Sequence, residues 1–183
     1  MGKLRRSFVD RDLLYLFSYD ANLELGREEI GFVPGGARVN ILSHPKDSRV
    51  YQVMQEQAIE GTRPITGVVV SGTDWVTLRE ENDIGDIDVR MVIRTDDGAT
   101  IHTRYRGVFP GGPRGYRRLM SEKPKLGTEE EPAEANLVVT PQFETDHRDY
   151  RWLMEHQCVA FGRVNIIRSL VRQASFDVYA MDC

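Results

Sequence analysis

Residues 86–107, DIDVRMVIRTDDGATIHTRYRG, constrain this chain more than any other stretch. Two alternating runs flank the turn signal Asp96-Asp97-Gly98, which is the pattern of a β-hairpin. Its register follows from where charge can go. A two-residue loop of Asp97-Gly98 would mix carboxylates, guanidiniums and aliphatics on each face. A three-residue loop with Gly98 in the left-handed conformation sets Thr95 opposite Ala99 and separates the faces. Ile87, Val89, Met91, Ile93, Ala99, Ile101 and Tyr105 then share one face. Asp88, Arg90, Val92, Arg94, His102, Arg104 and Arg106 share the other. A slip of one residue would bury charge on the apolar side, so the second register is expected.

The polar face has two readings. It can be a solvated outer surface with Asp88 opposite Arg106, as exposed antiparallel sheets commonly show. It can instead be a guanidinium-lined site for a carboxylate, since arginine forks match carboxylates bidentately. Surface charge is seldom functional, which weights the first, and the residues by themselves leave both open.

With 183 residues, the expectation is a loose N-terminal arm over 1–12 and a single domain over 13–183, long enough to build a core without staples. A formal net charge of −4, with arginines scattered along alternating strands, gives no electrostatic case for nucleic acid. Cys158 and Cys183 are too few for a disulfide framework and lack metal-site spacing. The apolar run 13–17 is too short for a signal-peptide core, and no stretch has the length of a membrane span. Met1-Gly2 resembles the start of a myristoylation signal, but Arg6 stands where Ser or Thr is needed. A cytoplasmic protein with no membrane partner is expected.

Along the chain, 13–25 suits a first strand with Leu13, Tyr15, Phe17 and Tyr19 on one aromatic face, ending at Gly26. A turn falls at 32–36 and a second strand begins near Val39. HPKDSR reads as an inserted loop, followed by a strand in VYQVMQEQAIE. Residues 66–70 and 75–78 are two strands, or one interrupted at Ser71-Gly72-Thr73-Asp74. Pro113 opens a short helix over 114–120, and Glu129-Glu130-Glu131-Pro132 is a solvated loop. Strand 136–140 continues past Pro141 as an edge. Strands 158–164 and 175–181 are joined by a helical turn or a flexible connection. The total is about eight to ten short strands and one short helix. That pattern predicts an all-β fold, a single antiparallel barrel of the size that holds one small ligand.

Several ordered segments resemble one family. They are Gly72-Thr73-Asp74-Trp75, Asp88-Val89-Arg90 running into Arg94-Thr95-Asp96-Asp97-Gly98-Ala99, and Gly107. The pattern resumes at Pro141-Gln142-Phe143-Glu144-Thr145, Tyr150-Arg151-Trp152-Leu153 and Gly162. On these, over about residues 13–181, the chain resembles the domain of unknown function 3237 family (DUF3237, UPF0311-like) of small calycin-like β-barrels. It departs over 43–61, which is longer than usual, and at Met154, where the family often has Asn. The resemblance implies a calycin-like barrel and action on aromatic natural products, such as cofactor-free decarboxylation of lignin-derived phenylcoumaran acids.

The four histidines, His44, His102, His147 and His156, show no metal-ligand spacing. No dinucleotide fingerprint, phosphate loop or nucleophile elbow occurs, so no cofactor is expected. Trp75, Tyr105, Tyr150 and Trp152 are candidates for an aromatic pocket wall, although each taken singly is more commonly core. Tyr150 and Trp152 share strand parity. Glu144 and Asp88 are the carboxylates that an enclosing barrel would have to pair or hold protonated, and Asp88 has Arg90 or Arg106 as a structural partner. Cys158 reads as a buried small hydrophobe.

Two functions follow. The first is a cofactor-independent lyase, a decarboxylase acting on an aromatic carboxylic acid. Arg90, Arg104 or Arg106, beside Asp88, would hold the carboxylate, Trp75 and Trp152 would stack on the rings, and Tyr150 or Glu144 would pass the proton. The second is a barrel that binds an apolar or aromatic ligand without turning it over. A homodimer or higher homo-oligomer is the expected assembly.

Overall fold

The computed structural model describes residues 13–52, 59, 61–82, 84–110, 133–167 and 170–181. Eight antiparallel strands follow one another in chain order: β1 (Leu13–Val33), β2 (Gly36–Tyr51), β3 (Gly67–Arg79), β4 (Ile84–Thr95), β5 (Thr100–Pro110), β6 (Ala133–Glu144), β7 (Cys158–Ile167) and β8 (Leu170–Met181). β1 also pairs with β8, and the sheet closes into a barrel. Closure leaves no free edge and gives the sheet a single interior.

The hairpin adopts the three-residue loop. The Thr95 amide donates to Ala99 O at 2.9 Å, the Gly98 amide donates to Thr95 O at 2.9 Å, and Gly98 has φ 91°. Arg94 pairs with Thr100 and Asp88 with Arg106. Ile87, Val89, Met91, Ile93, Ala99, Ile101 and Tyr105 are all buried in the core. The same alternation fills the interior from the other strands with Phe17, Tyr19, Val76, Leu78, Leu137, Val139, Phe143, Ala160, Phe176 and Val178. Small residues make room for flat rings. A Cβ on Gly162 would stand 2.1 Å from the Phe176 ring, and one on Gly85 would stand 2.1 Å from the Phe109 ring.

Several elements run longer than the sequence patterns suggest. β1 continues beyond Gly26 to Val33, and the following turn is Pro34-Gly35. HPKDSR is no loop. It lies within β2, paired with β1, and only its contact with β3 is interrupted, between Ser43 and Val50. Pairing on one side is enough to hold so polar a segment extended. β3 is one strand with a register shift between Val69 and Ser71. β6 runs through Pro141, which lies past the last pair with β7, Val139 with Ala160. That one-sided position tolerates a residue with no amide donor. β7 and β8 form a hairpin, in place of a helical turn or a flexible connection.

A shift in the β1–β8 register between Tyr15 and Phe17 breaks the expected aromatic face. Tyr15 lies against Tyr179, at 5.7 Å between ring centroids, and its hydroxyl is 2.8 Å from Ser18 Oγ. Phe17 and Tyr19 point inward to Phe143 and Phe176. Tyr150 and Trp152 lie on a 3-10 helix, Arg148–Glu155, so strand parity does not relate them. The arm 1–12, the helix expected over 114–120 and the acidic loop 129–132 lie outside the described residues, as does most of the segment 52–60.

Two substitutions test these packing rules. Gly98→Ala should cost about 1 kcal/mol, because its neighbourhood is open and only the positive φ resists the methyl. Gly162→Ala should cost more, about 1–3 kcal/mol, because its methyl meets an enclosed ring. Denaturant unfolding measures both, and equal costs would contradict the reading.

Candidate functional site

Halfway along the barrel the interior carries a carboxylate. On β3, Asp74 shares the inward parity of Val76 and Leu78, and it pairs with Val89 of β4, which in turn pairs with Tyr105 of β5. It sits deep within the barrel wall yet keeps part of its surface accessible. Its Oδ1 is closed off and has no hydrogen-bond partner among the described residues. Burial, reinforced by the charge of Asp88 on the other side of the wall, lifts its carboxyl from 3.8 to about 7.

Tyr19 and Tyr105 belong to the same cluster. The Tyr19 hydroxyl donates to the Tyr105 hydroxyl at 3.4 Å, a long and weak contact. The Tyr19 ring stacks on Phe176 at 5.2 Å between centroids, and Tyr105 tilts against Phe176 at 5.8 Å. Burial raises both phenols further, so they stay protonated, and the nearby Asp74 carboxylate pushes the same way. Two residues before Tyr105 on the same face, Thr103 is buried and its Oγ1 has no partner among the described residues. The interior therefore offers one unmet carboxylate oxygen and three hydroxyls within an apolar, aromatic lining. Among the described residues, no cation belongs to the buried core.

The arginines take the opposite side. Arg90, Arg104 and Arg106 stand on the outer face of the β4–β5 hairpin. Asp88 accepts both fork bonds of Arg104, at 3.1 and 2.8 Å, and one from Arg106 at 3.3 Å. The Arg104 bonds outweigh partial burial and hold the Asp88 carboxyl below its ordinary value. Trp75, 37% exposed, flanks the same outer groove, a space of about 800 Å³ that Asp88, Arg90, Arg106, Val108 and Val138 also line. Four of the candidate residues (Trp75, Asp88, Arg90 and Arg106) are thus brought together, but on the outer surface of the barrel.

The remaining candidates lie at one end of the barrel. The 3-10 helix buries Tyr150 and Leu153 against the core. The Tyr150 hydroxyl donates to both Asp97 oxygens at 3.1 Å, tying the helix to the tip of the β4–β5 hairpin, and Arg63 bridges Asp97 and Asp149 at 2.9 and 3.0 Å. Trp152 packs partly buried against the core with its ring against His156, and its Nε1 has no partner among the described residues. Glu144 is exposed and faces His102 at 3.1 Å. Cys158 is buried, and desolvation pushes its thiol up to about 12. Among the described residues, no group of three or more His, Cys, Asp or Glu is placed to hold a metal ion, and no helix is long and apolar enough to cross a membrane.

The family model described as "Protein of unknown function (DUF3237)" matches residues 27–181. The chain belongs to this family. It is 34% identical over 102 residues to a UPF0311 protein of Bradyrhizobium diazoefficiens, covering 55% of this chain and 63% of that one. It is 30% identical over 93 residues to a UPF0311 protein of Rhodopseudomonas palustris, covering 50% of this chain and 57% of that one. The matches thus span about three-fifths of the length of these curated relatives.

In structure, the DUF3237 chain is similar to a conserved protein of unknown function from Rhodopseudomonas palustris, with TM-score 0.68 and 23% identity over 95% of this chain and 99% of that one. It is similar also to a protein with unknown function from Clostridium acetobutylicum, with TM-score 0.68 and 20% identity over 96% and 100%. A third, an enzyme from Penicillium herquei, has TM-score 0.52 and 17% identity, with both chains fully covered. These likenesses establish the shared barrel, an eight-stranded antiparallel fold consistent with the calycin-like class.

Sequence reasoning passed over Asp74, although it stands beside Trp75 in a quoted motif. The signal was present: Asp74 is an acid on the parity that carries Val76 and Leu78. Its raised pKa has a thermodynamic consequence with a definite sign. A carboxyl raised on folding lends stability below about pH 4 that is lost as pH rises towards and through 7. Asp74→Asn should therefore gain stability relative to the parent as pH rises from 4 to 8, by up to about 4 kcal/mol for a shift of this size. Parallel urea titrations across that range check it, and a constant gap would show that Asp74 ionises freely.

Proposed function

We propose that the barrel interior binds one small apolar or aromatic molecule that presents a hydrogen-bond donor to Asp74. The observation that carries this reading is the enclosed Asp74 Oδ1, which lacks a partner among the described residues and lies near Tyr19 and Tyr105. An unmet buried acceptor costs about 1–3 kcal/mol, and a ligand donor would remove that penalty. The aromatic lining supplies apolar contact, and the absence of a core cation among the described residues favours a neutral ligand over an anion. Calorimetric titration with 2-naphthol, naphthalene and 2-naphthoate at pH 7.5 separates these chemistries. 2-Naphthol should bind best, and Asp74→Leu, which removes the acceptor at similar size, should weaken it about 10–100-fold. Equal affinity of parent and variant for 2-naphthol would refute the proposal.

A second reading, the cofactor-independent lyase for an aromatic carboxylic acid, draws on the outer groove. There Arg90 and Arg106 flank Trp75, and Arg90 has no acid partner among the described residues. The fold accommodates enzymes, as the one from Penicillium herquei illustrates. Of the acids that line the groove, Asp88 is held ionised by Arg104 and Asp86 is paired with Arg79, while Tyr150 and Glu144 stand elsewhere. Arg90→Lys and Arg106→Lys decide between the readings. Under the interior proposal both bind 2-naphthol and 2-naphthoate like the parent, whereas a lyase groove would lose aromatic-acid affinity with its forks.

A further inference from the structure

We infer that Asp74 is a general base, with the Tyr105 hydroxyl as hydrogen-bond donor, for the enolisation of an apolar or aromatic ketone held in the barrel; this rests on the interior site proposed above, with the acidic α C–H of the ketone facing Asp74 in place of a polar donor. The geometry supplies the parts. Asp74 presents an enclosed oxygen that has no hydrogen-bond partner among the described residues, and it forms no ion pair among them. The Tyr105 hydroxyl accepts from Tyr19, and its own proton has no acceptor among the described residues. Donation from Tyr19 polarises that proton towards whatever oxygen lies beyond it.

A base and a neutral donor on one inner face, near enough for Asp74 to raise the Tyr105 phenol, are the groups that proton abstraction beside a carbonyl requires. The carboxylate of Asp74 takes a proton from the carbon α to the carbonyl. The C–H electron pair becomes the C=C bond, the carbonyl π pair moves onto oxygen, and the Tyr105 hydroxyl hydrogen-bonds that oxygen as its charge develops. Asp74, now a carboxylic acid, returns the proton to the same carbon or, in a conjugated substrate, to the vinylogous γ-carbon. Nothing is oxidised or reduced, no group leaves, and no co-reactant is consumed.

The environments push the groups apart in the useful sense. Asp74 titrates near neutrality, so a basic fraction exists at working pH, while both phenols remain protonated donors. Among the described residues, the titratable groups facing Asp74 are Tyr19 from β1 and Tyr105 from β5, with Asp88 of β4 acting through the wall. An Asp base paired with a Tyr donor enolises ketones on an unrelated fold, so the chemistry does not depend on this architecture. A carboxylate substrate fits less well, since it would meet Asp74 with no described core cation to offset the repulsion.

The test uses the full chain and 2-tetralone in deuterium oxide, following loss of the α-proton signals by NMR, with 2-tetralone affinity measured separately by calorimetry. The parent should exchange the α-protons faster than buffer, with a rate that rises through a single ionisation near neutrality. Asp74→Asn should retain binding and lose exchange about 100-fold or more, and Tyr105→Phe should lose about 10–1000-fold at similar affinity. If Asp74→Asn does not fold, Tyr105→Phe and the pH profile carry the test. Bound 2-tetralone that the parent exchanges no faster than buffer overturns the inference and leaves the binding proposal standing. Bound ketone exchanged as fast by the variants as by the parent does the same. Absence of 2-tetralone binding, with 2-naphthol still bound, overturns the ketone class alone; absence of binding by both removes the interior site and the inference with it.

Discussion

A closed sheet has one inside, and a strand's two-residue period decides which side chains reach it. Everything that positions the candidate site follows from that constraint. Once β1 pairs with β8, no strand can shift by a residue without exchanging its entire inner set for its outer one. The β4–β5 hairpin feels this most strongly, because its faces are so unlike: aliphatics and Tyr105 inward, Asp88 and four arginines outward. Charge on the outer face is hydrated and pairs cheaply. The same groups inside would demand partners the core does not contain.

Under that rule a polar residue on an inner position is the exception that calls for a reason. Thr95 is met by the hairpin itself, its hydroxyl lying within reach of the Ala99 amide at 2.8 Å. Tyr150 is met by Asp97. Asp74 is not met at Oδ1 among the described residues, and its environment answers by favouring the neutral acid. Glycines on the inner surface let Phe176 and Phe109 lie flat against the wall, so the lining near this carboxyl is aromatic as well as aliphatic.

Much of this was legible from residue order, and the limits are physical. Two things located the inner face of β4 and β5 from sequence: the turn residue Gly98, whose conformation fixes loop length, and the cost of burying arginine. Where one of those signals was missing, the reading failed. HPKDSR has neither apolar alternation nor a branched residue, yet pairing with β1, helped by Ser48 bonding the Val69 backbone on β3, holds it extended. Tyr150 and Trp152 alternate like strand residues, but they sit on a 3-10 helix whose identity depends on tertiary packing of Tyr150 and Leu153. The shift between Tyr15 and Phe17 turns one aromatic out of line, and no local pattern announces it. The arginines drew attention because guanidinium chemistry is conspicuous, whereas one aspartate on an apolar parity is a quiet signal that gains meaning only when the barrel is closed.

The difference between the two carboxylates on neighbouring strands carries the functional argument. Asp88 and Asp74 lie on opposite sides of the same wall, adjacent enough for the Asp88 charge to raise the Asp74 carboxyl. Asp88 has two guanidiniums, stays ionised and ties the outer surface together. Asp74 has no cation partner among the described residues and lies where a leucine of similar size would remove a desolvation cost. A chain selected for stability alone has no use for it, since stabilising replacements at such sites are easy to reach and the usual loss is in function. An acid kept at that cost, with two protonated phenols beside it, is the feature on which the proposed ligand site rests.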